Sequence, residues 1–247
     1  MRLLARDRGK HPFITVYETD RLYGERGRFR VMQFSDDAVQ GALDLNAPGR
    51  MILEYPRAMI HLVEANHPAP RALFLIGHGI GTIAGYYKDT RLVSAEIDER
   101  VAALSRQFFG YAANNVVVGD GRLLLGKEGR GSLDCIMVDA FTDKGTPVHL
   151  VSDAFLRLAA DKLTANGTVL FNLMGRLEGD KLVNAVHATL REVFPYSAAF
   201  ALPGERRSDR RNIVVAGGRS PIAYTEGSMA GFTAFQPEPG FPIRERI

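Results

Sequence analysis

The sequence predicts an α/β fold in which a doubly wound, mostly parallel sheet of seven strands follows a small N-terminal β appendage. Short apolar runs alternate with stretches of helical periodicity from about residue 71 onward. The first run, Ala72 to Ile76, leads into a glycine-rich turn, a helix and a second run ending in Glu96. This order is typical of a nucleotide-type ligand lying across the carboxyl ends of parallel strands.

Each element of the main sheet follows from its local pattern. The apolar runs predict strands, and the amphipathic stretches predict helices. Predicted strands cover residues 72–76, 92–96, 116–118, 133–138 and 167–172, and predicted helices cover 81–88, 98–110, 150–163 and 178–193. Two further strands, SAAFAL and NIVVAG, are joined by a polar loop without a helix. A terminal antiparallel hairpin on a parallel sheet is the class I methyltransferase topology.

The chain divides into three predicted regions. Residues 1–66 hold a loose basic tail over 1–10, a small β-hairpin region, and a linking helix within 50–66. Residues 67–219 form a Rossmann-like, nucleoside-binding catalytic domain. Residues 220–247 contain Pro and Gly with weak periodicity, which predicts an extended tail or a dimer arm.

Composition excludes several classes of protein. Among 247 residues, 46% are hydrophobic, enough for a sizeable core. The single cysteine, Cys135, lies in the apolar run LDCIMVD, which predicts a buried residue and excludes a disulfide or zinc set. We therefore expect a reducing cytoplasm. No apolar run approaches 18 residues, so no membrane span is expected. A formal net charge of +3 does not argue for nucleic acid.

The glycine turn separates two classes of ligand. Gly77, Gly79 and Gly81 form G-x-G-x-G-T, one residue shorter than the dinucleotide fingerprint. This spacing favours an S-adenosylmethionine type of ligand over NAD. Glu96 closes the second strand, where its carboxylate can accept hydrogen bonds from two ribose hydroxyls. A tight βα turn without a ligand is the alternative interpretation.

Further acids follow later strands. Asp120, in VVVGDGRLLL, is placed to accept a hydrogen bond from an adenine amino group, or to form an Asp-Gly turn. Asp139 closes LDCIMVD, where a carboxylate can take a proton from an attacking amine, fix a cationic substrate, or cap a helix. Asp143 and His149 follow in the next loop and either line the site or shape the loop.

These residues resemble the spermidine synthase family of aminopropyltransferases over about residues 12–217. A glutamine after an early strand matches Gln40, a tyrosine at a helix start matches Tyr55, and a second histidine lies near His61. The resemblance implies a set of donor-binding residues: Gln40, Gly77, Gly79, Gly81, Glu96, Ile97, Asp120 and Gly121.

The resemblance also implies a reaction. Asp139, with Tyr55, would deprotonate an acceptor amine, which attacks the aminopropyl carbon of decarboxylated S-adenosylmethionine, and methylthioadenosine would leave. Asp143, His149 and His61 would contact the acceptor. No metal is implied, and family members usually form homo-oligomers through their N-terminal region.

The sequence departs from the family pattern at four places. Ile80 replaces an aspartate that helps hold the donor ammonium, and Thr142 replaces a second aspartate. Pro56 and Arg57 replace the usual neighbours of the tyrosine. The late hairpin loop reads PGERRSDRRN, with four arginines where the family carries a tyrosine. The adenosyl end of the site therefore matches the family better than the diamine end.

Four functions are compatible with this pattern. The sequence favours an aminopropyltransferase with altered acceptor contacts, which uses decarboxylated or intact S-adenosylmethionine, or else a methyltransferase on the same scaffold. A nucleoside-binding or interaction protein without catalysis is disfavoured, because such a site has no need for three carboxylates at one crevice. A nucleic-acid binder using the arginines lacks aromatic interleaving and a recognition motif.

Overall fold

A computed structural model describes residues 1–7, 13–34, 39–142 and 145–245. The chain begins with an antiparallel sheet of four strands in sequential order: β1 (Arg2–Asp7), β2 (Ile14–Leu22), β3 (Glu25–Phe34) and β4 (Val39–Asp44). The prediction of a loose tail over residues 1–10 was wrong for residues 2–7. They pair with β2, and the Arg2 side chain donates to Glu18 over 2.9 Å.

The main sheet has eight strands in the order β12-β10-β11-β9-β8-β5-β6-β7. Its strands are β5 (Ala72–Ile76), β6 (Arg91–Glu96), β7 (Val116–Val118), β8 (Leu133–Val138), β9 (Leu163–Gly175), β10 (Tyr196–Ala201), β11 (Arg211–Gly218) and β12 (Thr233–Phe235). Strands β5 to β9 run parallel, whereas β11, β10 and β12 add antiparallel pairings. The predicted doubly wound, mostly parallel α/β fold is confirmed, with one strand more than expected.

In the part of the chain that the structure describes, six α-helices connect these strands and cover both faces of the sheet: α1 (Glu54–Asn66), α2 (Thr82–Tyr86), α3 (Glu99–Phe109), α4 (Gly121–Gly126), α5 (Asp153–Lys162) and α6 (Lys181–Val193). Alternate residues of β5 divide between the two faces. Phe74 packs on the face with α5 and α6, while Leu73 and Leu75 pack on the face with α1 and α2. Cys135 is fully buried in the second face.

The C-terminal region packs onto its own chain. Residues predicted as a tail or dimer arm supply β12, which pairs with β10 and becomes the eighth strand. Met229 and Phe232, just before β12, are buried. Helix α4 was also not predicted, and helix α5 ends at Lys162 because β9 begins earlier than expected, at Leu163.

The N-terminal sheet packs against the glycine turn of the main domain. Ile14, Val16 and Met32 share an apolar cluster with Ile80 and with residues of α3. Gly41 on β4 lies against Ile80, so that a Cβ at Gly41 would come within 2.6 Å of the Ile80 side chain. This packing brings Gln40 to the edge where the parallel strands end. Within the described ranges, every helix is too short or too polar to cross a membrane.

Candidate active site

The glycine turn lies in a space too narrow for side chains. Gly77 has φ 96°, and a Cβ there would lie 2.0 Å from the backbone oxygen of Asp139. Gly81 has φ 88°, and its Cβ would lie 2.3 Å from the ring of Tyr111. Both positions favour glycine because of the positive φ and because of the contact. The turn therefore holds the end of β5 close to the end of β8.

Glu96 holds this turn from β6. Its Oε2 accepts the backbone N–H of His78 over 3.0 Å, and its Oε1 accepts that of Asp98 over 2.9 Å. The side chain is buried, and burial raises the pKa of Glu96 while the backbone N–H donors oppose the shift. Each carboxylate oxygen has a further lone pair, so the group can still accept from ligand hydroxyls. Ile97 follows and is exposed.

His78 was not predicted as a site residue. Its ring lies between two serines, with Nε2 2.9 Å from Ser105 Oγ and Nδ1 3.1 Å from Ser94 Oγ. Ser105 donates its hydroxyl proton to Ala102 O, so Nε2 carries the ring proton and Nδ1 accepts from Ser94. Burial lowers the pKa of His78 to about 4. A neutral histidine therefore links the glycine turn to β6 and α3.

Asp139 follows β8 and is held from two sides. Asn172 donates from Nδ2 to Asp139 Oδ1 over 2.8 Å, and Tyr55 donates a second hydrogen bond. Burial raises the pKa of Asp139 to about 6, although both hydrogen bonds act in the opposite direction. Burial, together with the nearby Asp139 charge, raises the pKa of Tyr55 well above its usual value. The two predicted catalytic residues thus lie in direct contact.

A small pocket opens beside Asp139 at the carboxyl ends of the strands. Gln40, Tyr55 and Asp139 are among the polar residues that line it, and Ile80 is among the apolar ones. The described residues that line it are Gln40, Tyr55, Pro56, Leu75, Gly77, His78, Gly79, Ile80, Thr82, Ile83 and Asp139. Asp139 is the one carboxylate in this lining. Among the described residues, the pocket lining therefore offers a base and hydrogen-bonding groups, but no second carboxylate.

Asp120 precedes α4 and caps it. Its Oδ1 accepts the backbone N–H of Leu123 over 3.0 Å, and its Oδ2 lies 3.1 Å from His149 Nε2. Gly121 packs closely on Ile76, because a Cβ at Gly121 would lie 2.4 Å from Ile76 Cγ2. His149, expected to contact the acceptor, lies in contact with the acid expected to contact adenine.

Two other predicted acceptor contacts are placed as follows. His61 Nε2 accepts the backbone N–H of Thr225 over 2.9 Å and joins α1 to the C-terminal region. His61 is not among the described residues lining the pocket around Asp139. Asp143 lies outside the described residues. Nothing in this geometry assigns His61 to the acceptor.

The arginine loop is partly structural. Arg211 is buried, and its guanidinium donates to the carbonyl oxygens of Leu202, Arg206 and Asp209. Arg207 forms an ion pair with Glu178. Arg206 and Arg210 are exposed at the loop tip. Two of the four arginines therefore shape the loop.

The structure shows no ready-made metal centre where it describes the chain. No group of three or more His, Cys, Asp or Glu side chains is arranged there to hold a metal ion. The site just described consists of carboxylates, amides, imidazoles, a phenol and backbone groups.

Comparison of the sequence with known proteins identifies its family. The profile of the spermine/spermidine synthase domain matches residues 53–204, more than half of the chain. A polyamine aminopropyltransferase from Neisseria meningitidis is 28% identical over 189 residues, covering 73% of this chain and 70% of the relative. Putrescine N-methyltransferase 1 from Nicotiana tabacum is 28% identical over 158 residues, covering 60% of this chain and 42% of that relative.

Solved structures share the fold. A probable spermidine synthase from Corynebacterium glutamicum aligns with a TM-score of 0.77 and 20% identity, covering 93% of this chain and 85% of that chain. Human methyltransferase-like protein 13 in complex with SAH aligns with a TM-score of 0.58 and 25% identity, covering 72% of this chain and 90% of that chain. The chain belongs to the spermine/spermidine synthase family of transferases, built on a methyltransferase-type fold.

Proposed function

We propose that this chain binds decarboxylated S-adenosylmethionine or S-adenosylmethionine and, from the decarboxylated donor, transfers an aminopropyl group to an amine, with Asp139 as the base. The contact of Asp139 with Tyr55 and Asn172, in a pocket beside the glycine turn, carries the proposal. A carboxylate with a pKa of about 6 is mostly ionised at neutral pH and is a stronger base than an exposed aspartate.

The transfer balances without a metal. The lone pair of the acceptor nitrogen forms a bond to the aminopropyl carbon next to the sulfonium. The carbon–sulfur bond breaks, its electron pair stays on sulfur, and neutral methylthioadenosine leaves. Asp139 takes the proton that the nitrogen loses. Tyr55 keeps the carboxylate oriented through its hydrogen bond.

Donor binding is assigned to neighbouring strand ends. Glu96 accepts from the ribose hydroxyls, and Asp120 accepts from the adenine amino group. Gln40 and the glycine turn lie nearer Asp139, where the sulfonium and its chain would be placed. The family match and the aminopropyltransferase relative support a donor of this class.

Methyl transfer is the second candidate, and Ile80 is the observation that favours it. In the pocket lining, Ile80 stands where the family pattern has an aspartate, so the ammonium of a decarboxylated donor lacks that counter-charge. An unpaired ammonium in a pocket is costly. In this case the amine attacks the methyl carbon, and S-adenosylhomocysteine leaves. The similarity to a putrescine N-methyltransferase is consistent with this candidate.

Calorimetry with three ligands separates the candidates. The protein is titrated with S-adenosylmethionine, its decarboxylated form and methylthioadenosine, and a panel of linear diamines and triamines is then incubated with the donor that binds. Mass spectrometry of the amine distinguishes an added aminopropyl group from an added methyl group. Aminopropylated amine supports the first candidate, and methylated amine supports the second. Failure of all three ligands to bind would contradict both and indicate a protein without this chemistry.

A further inference from the structure

Arg122 connects the adenine side of the site to a distant part of the chain. It lies two residues after Asp120, in the first turn of α4. Its Nη1 donates to His149 O over 3.3 Å and to Glu245 Oε1, and its Nη2 donates to Glu245 Oε2 over 3.1 Å. The same His149 contacts Asp120 through its ring. The Arg122–Glu245 ion pair is therefore joined to the Asp120–His149 contact through the backbone oxygen of His149.

Glu245 is held in place by a segment that we call the C-terminal strap, residues 238–245. At Ile243, the backbone oxygen accepts from Asp153 N over 2.9 Å, and the backbone N–H donates to Thr189 Oγ1 over 2.9 Å. Arg244 forms ion pairs with Asp153 and Glu192. These contacts fix the strap across α5 and α6 next to Glu245.

Glu245 also contacts the start of α5. Ser152, the N-cap residue of α5, donates its hydroxyl to Glu245 Oε1 over 2.8 Å. The Glu245 carboxylate is thus shared between Arg122 and Ser152. The Arg122 and Glu245 side chains are 25% and 34% exposed, so their bidentate pair is screened less than one on an open surface.

We propose that Arg122 and Glu245 are positioning residues for donor recognition. They hold the loop bearing His149 against α4, and so keep the Asp120 carboxylate where an adenine amino group can donate to it. The inference rests on the proposed function, in which Asp120 contacts adenine. It assigns to the strap a role in selecting the base of the donor.

A pair of nucleosides measures the position of Asp120 directly. The 6-amino group of methylthioadenosine can donate to a carboxylate, whereas the 6-oxo group of methylthioinosine can only accept. A correctly placed Asp120 therefore favours the adenine nucleoside, and a displaced Asp120 loses that preference. Loss of overall fold stability alone would weaken both ligands together and leave their ratio unchanged.

The experiment compares this ratio by calorimetry in four full-length proteins: wild type, Glu245→Gln, Arg122→Gln and Arg244→Gln. We expect wild type to prefer methylthioadenosine by about tenfold or more, as for a hydrogen bond to a charged group. Glu245→Gln and Arg122→Gln should each reduce the preference by about threefold to tenfold. Arg244→Gln removes the neighbouring ion pairs of the same strap and should keep the wild-type ratio.

Two results would overturn the inference alone. One is a wild-type ratio in Glu245→Gln or Arg122→Gln. The other is an equal loss of the ratio in Arg244→Gln, which would mean that the position of Asp120 depends on the strap as a whole and not on the Arg122–Glu245 pair. If wild type binds neither nucleoside, the proposed function fails, and this inference fails with it.

Discussion

Asn172 donates a hydrogen bond to Asp139 over 2.8 Å and is itself oriented by Asn212, whose Nδ2 donates to Asn172 Oδ1 over 3.0 Å. The two asparagines lie on the neighbouring antiparallel strands β9 and β11. Because Asn212 occupies the amide oxygen of Asn172, the amide nitrogen of Asn172 points to the carboxylate. These two consecutive hydrogen bonds stabilise the ionised form of Asp139 against the effect of burial.

The first prediction concerns the pH dependence of turnover. Replacing Asn172 by leucine removes a donor that lowers the pKa of Asp139, so the pKa rises further above about 6. The ionised base is then available only at higher pH. We expect the acidic limb of the kcat/KM profile to move upward by about one pH unit or more.

Asn212→Leu is the matched control. It removes only the hydrogen bond from Asn212 to Asn172, so the acidic limb should move upward by less. An unchanged acidic limb in Asn172→Leu would mean that Asp139 is not the group that titrates in turnover.

Asn172 also illustrates what the sequence leaves undecided. It lies within the apolar run TVLFNLMG, where a single polar residue in a buried strand is the available signal. The strand itself was predicted from its apolar run. The direction of the amide, however, depends on Asn212, which is 40 residues away. Local pattern carries no information on such a pairing.

The second prediction concerns Ile80. Ile80→Asp places a carboxylate among Ile14, Met32 and α3 residues, where a buried charge without a partner is expensive. We expect a loss of about 2–4 kcal/mol in the free energy of unfolding, measured by urea titration. If the protein is an aminopropyltransferase, the new carboxylate can pair with the donor ammonium. The folded fraction of Ile80→Asp should then prefer the decarboxylated donor over the intact one more strongly than wild type does.

Ile80→Val serves as the control, since it retains the apolar contact and should cost about 0.5–1.5 kcal/mol. A stable Ile80→Asp protein would contradict the assignment of Ile80 to the apolar contact between the N-terminal sheet and the main domain.

The third prediction concerns Glu96. Glu96→Ala removes a proposed ribose acceptor and frees the backbone N–H groups of His78 and Asp98. We expect adenosyl-ligand binding to weaken by about 1.5–3 kcal/mol in calorimetry. Glu99→Ala, an exposed acid at the start of α3, should leave the affinity unchanged. Unchanged affinity in Glu96→Ala would remove Glu96 from the ligand site.

The fourth prediction concerns stability and pH. The folded-state pKa of Asp139 is raised to about 6 from 3.8, so its contribution to stability is lost as pH rises through that value. Asp139→Asn has no carboxyl group to ionise at this position, so its stability does not fall in this way. Urea unfolding should show the variant gaining about 1–3 kcal/mol over wild type at pH 8, with the difference shrinking towards pH 4. An equal difference at both pH values would contradict the raised pKa.

The strands β5, β7 and β8 match their predicted bounds because each is a short, largely apolar run followed by glycine or an acid. The two missed strands β1 and β12 have a common physical reason. β1 and β12 are edge strands with exposed residues and charges or turns nearby, so their hydrogen bonds to β2 and β10 decide their structure. Short edge strands carry little periodic signal of their own.

Prediction of the site from the sequence was limited in the same way. Glu96 and Asp139 were placed correctly at strand ends, because strand ends meet at one edge of a parallel sheet. The contact of the His149 ring with Asp120, 29 residues earlier, was not predicted. The Arg122–Glu245 pair spans 123 residues. The conformation of the loops after the strand ends depends on such contacts between residues far apart in the sequence, and the local pattern does not reveal them.

The most direct test of the central claim compares binding with turnover in Asp139→Asn. Methylthioadenosine affinity is measured by calorimetry, and transfer to amines is measured by mass spectrometry with the donor that wild type accepts. If Asp139 is the base, affinity should stay within about twofold while the rate falls by about 10²–10⁴. Wild-type turnover in this variant would contradict the assignment of Asp139 as the base.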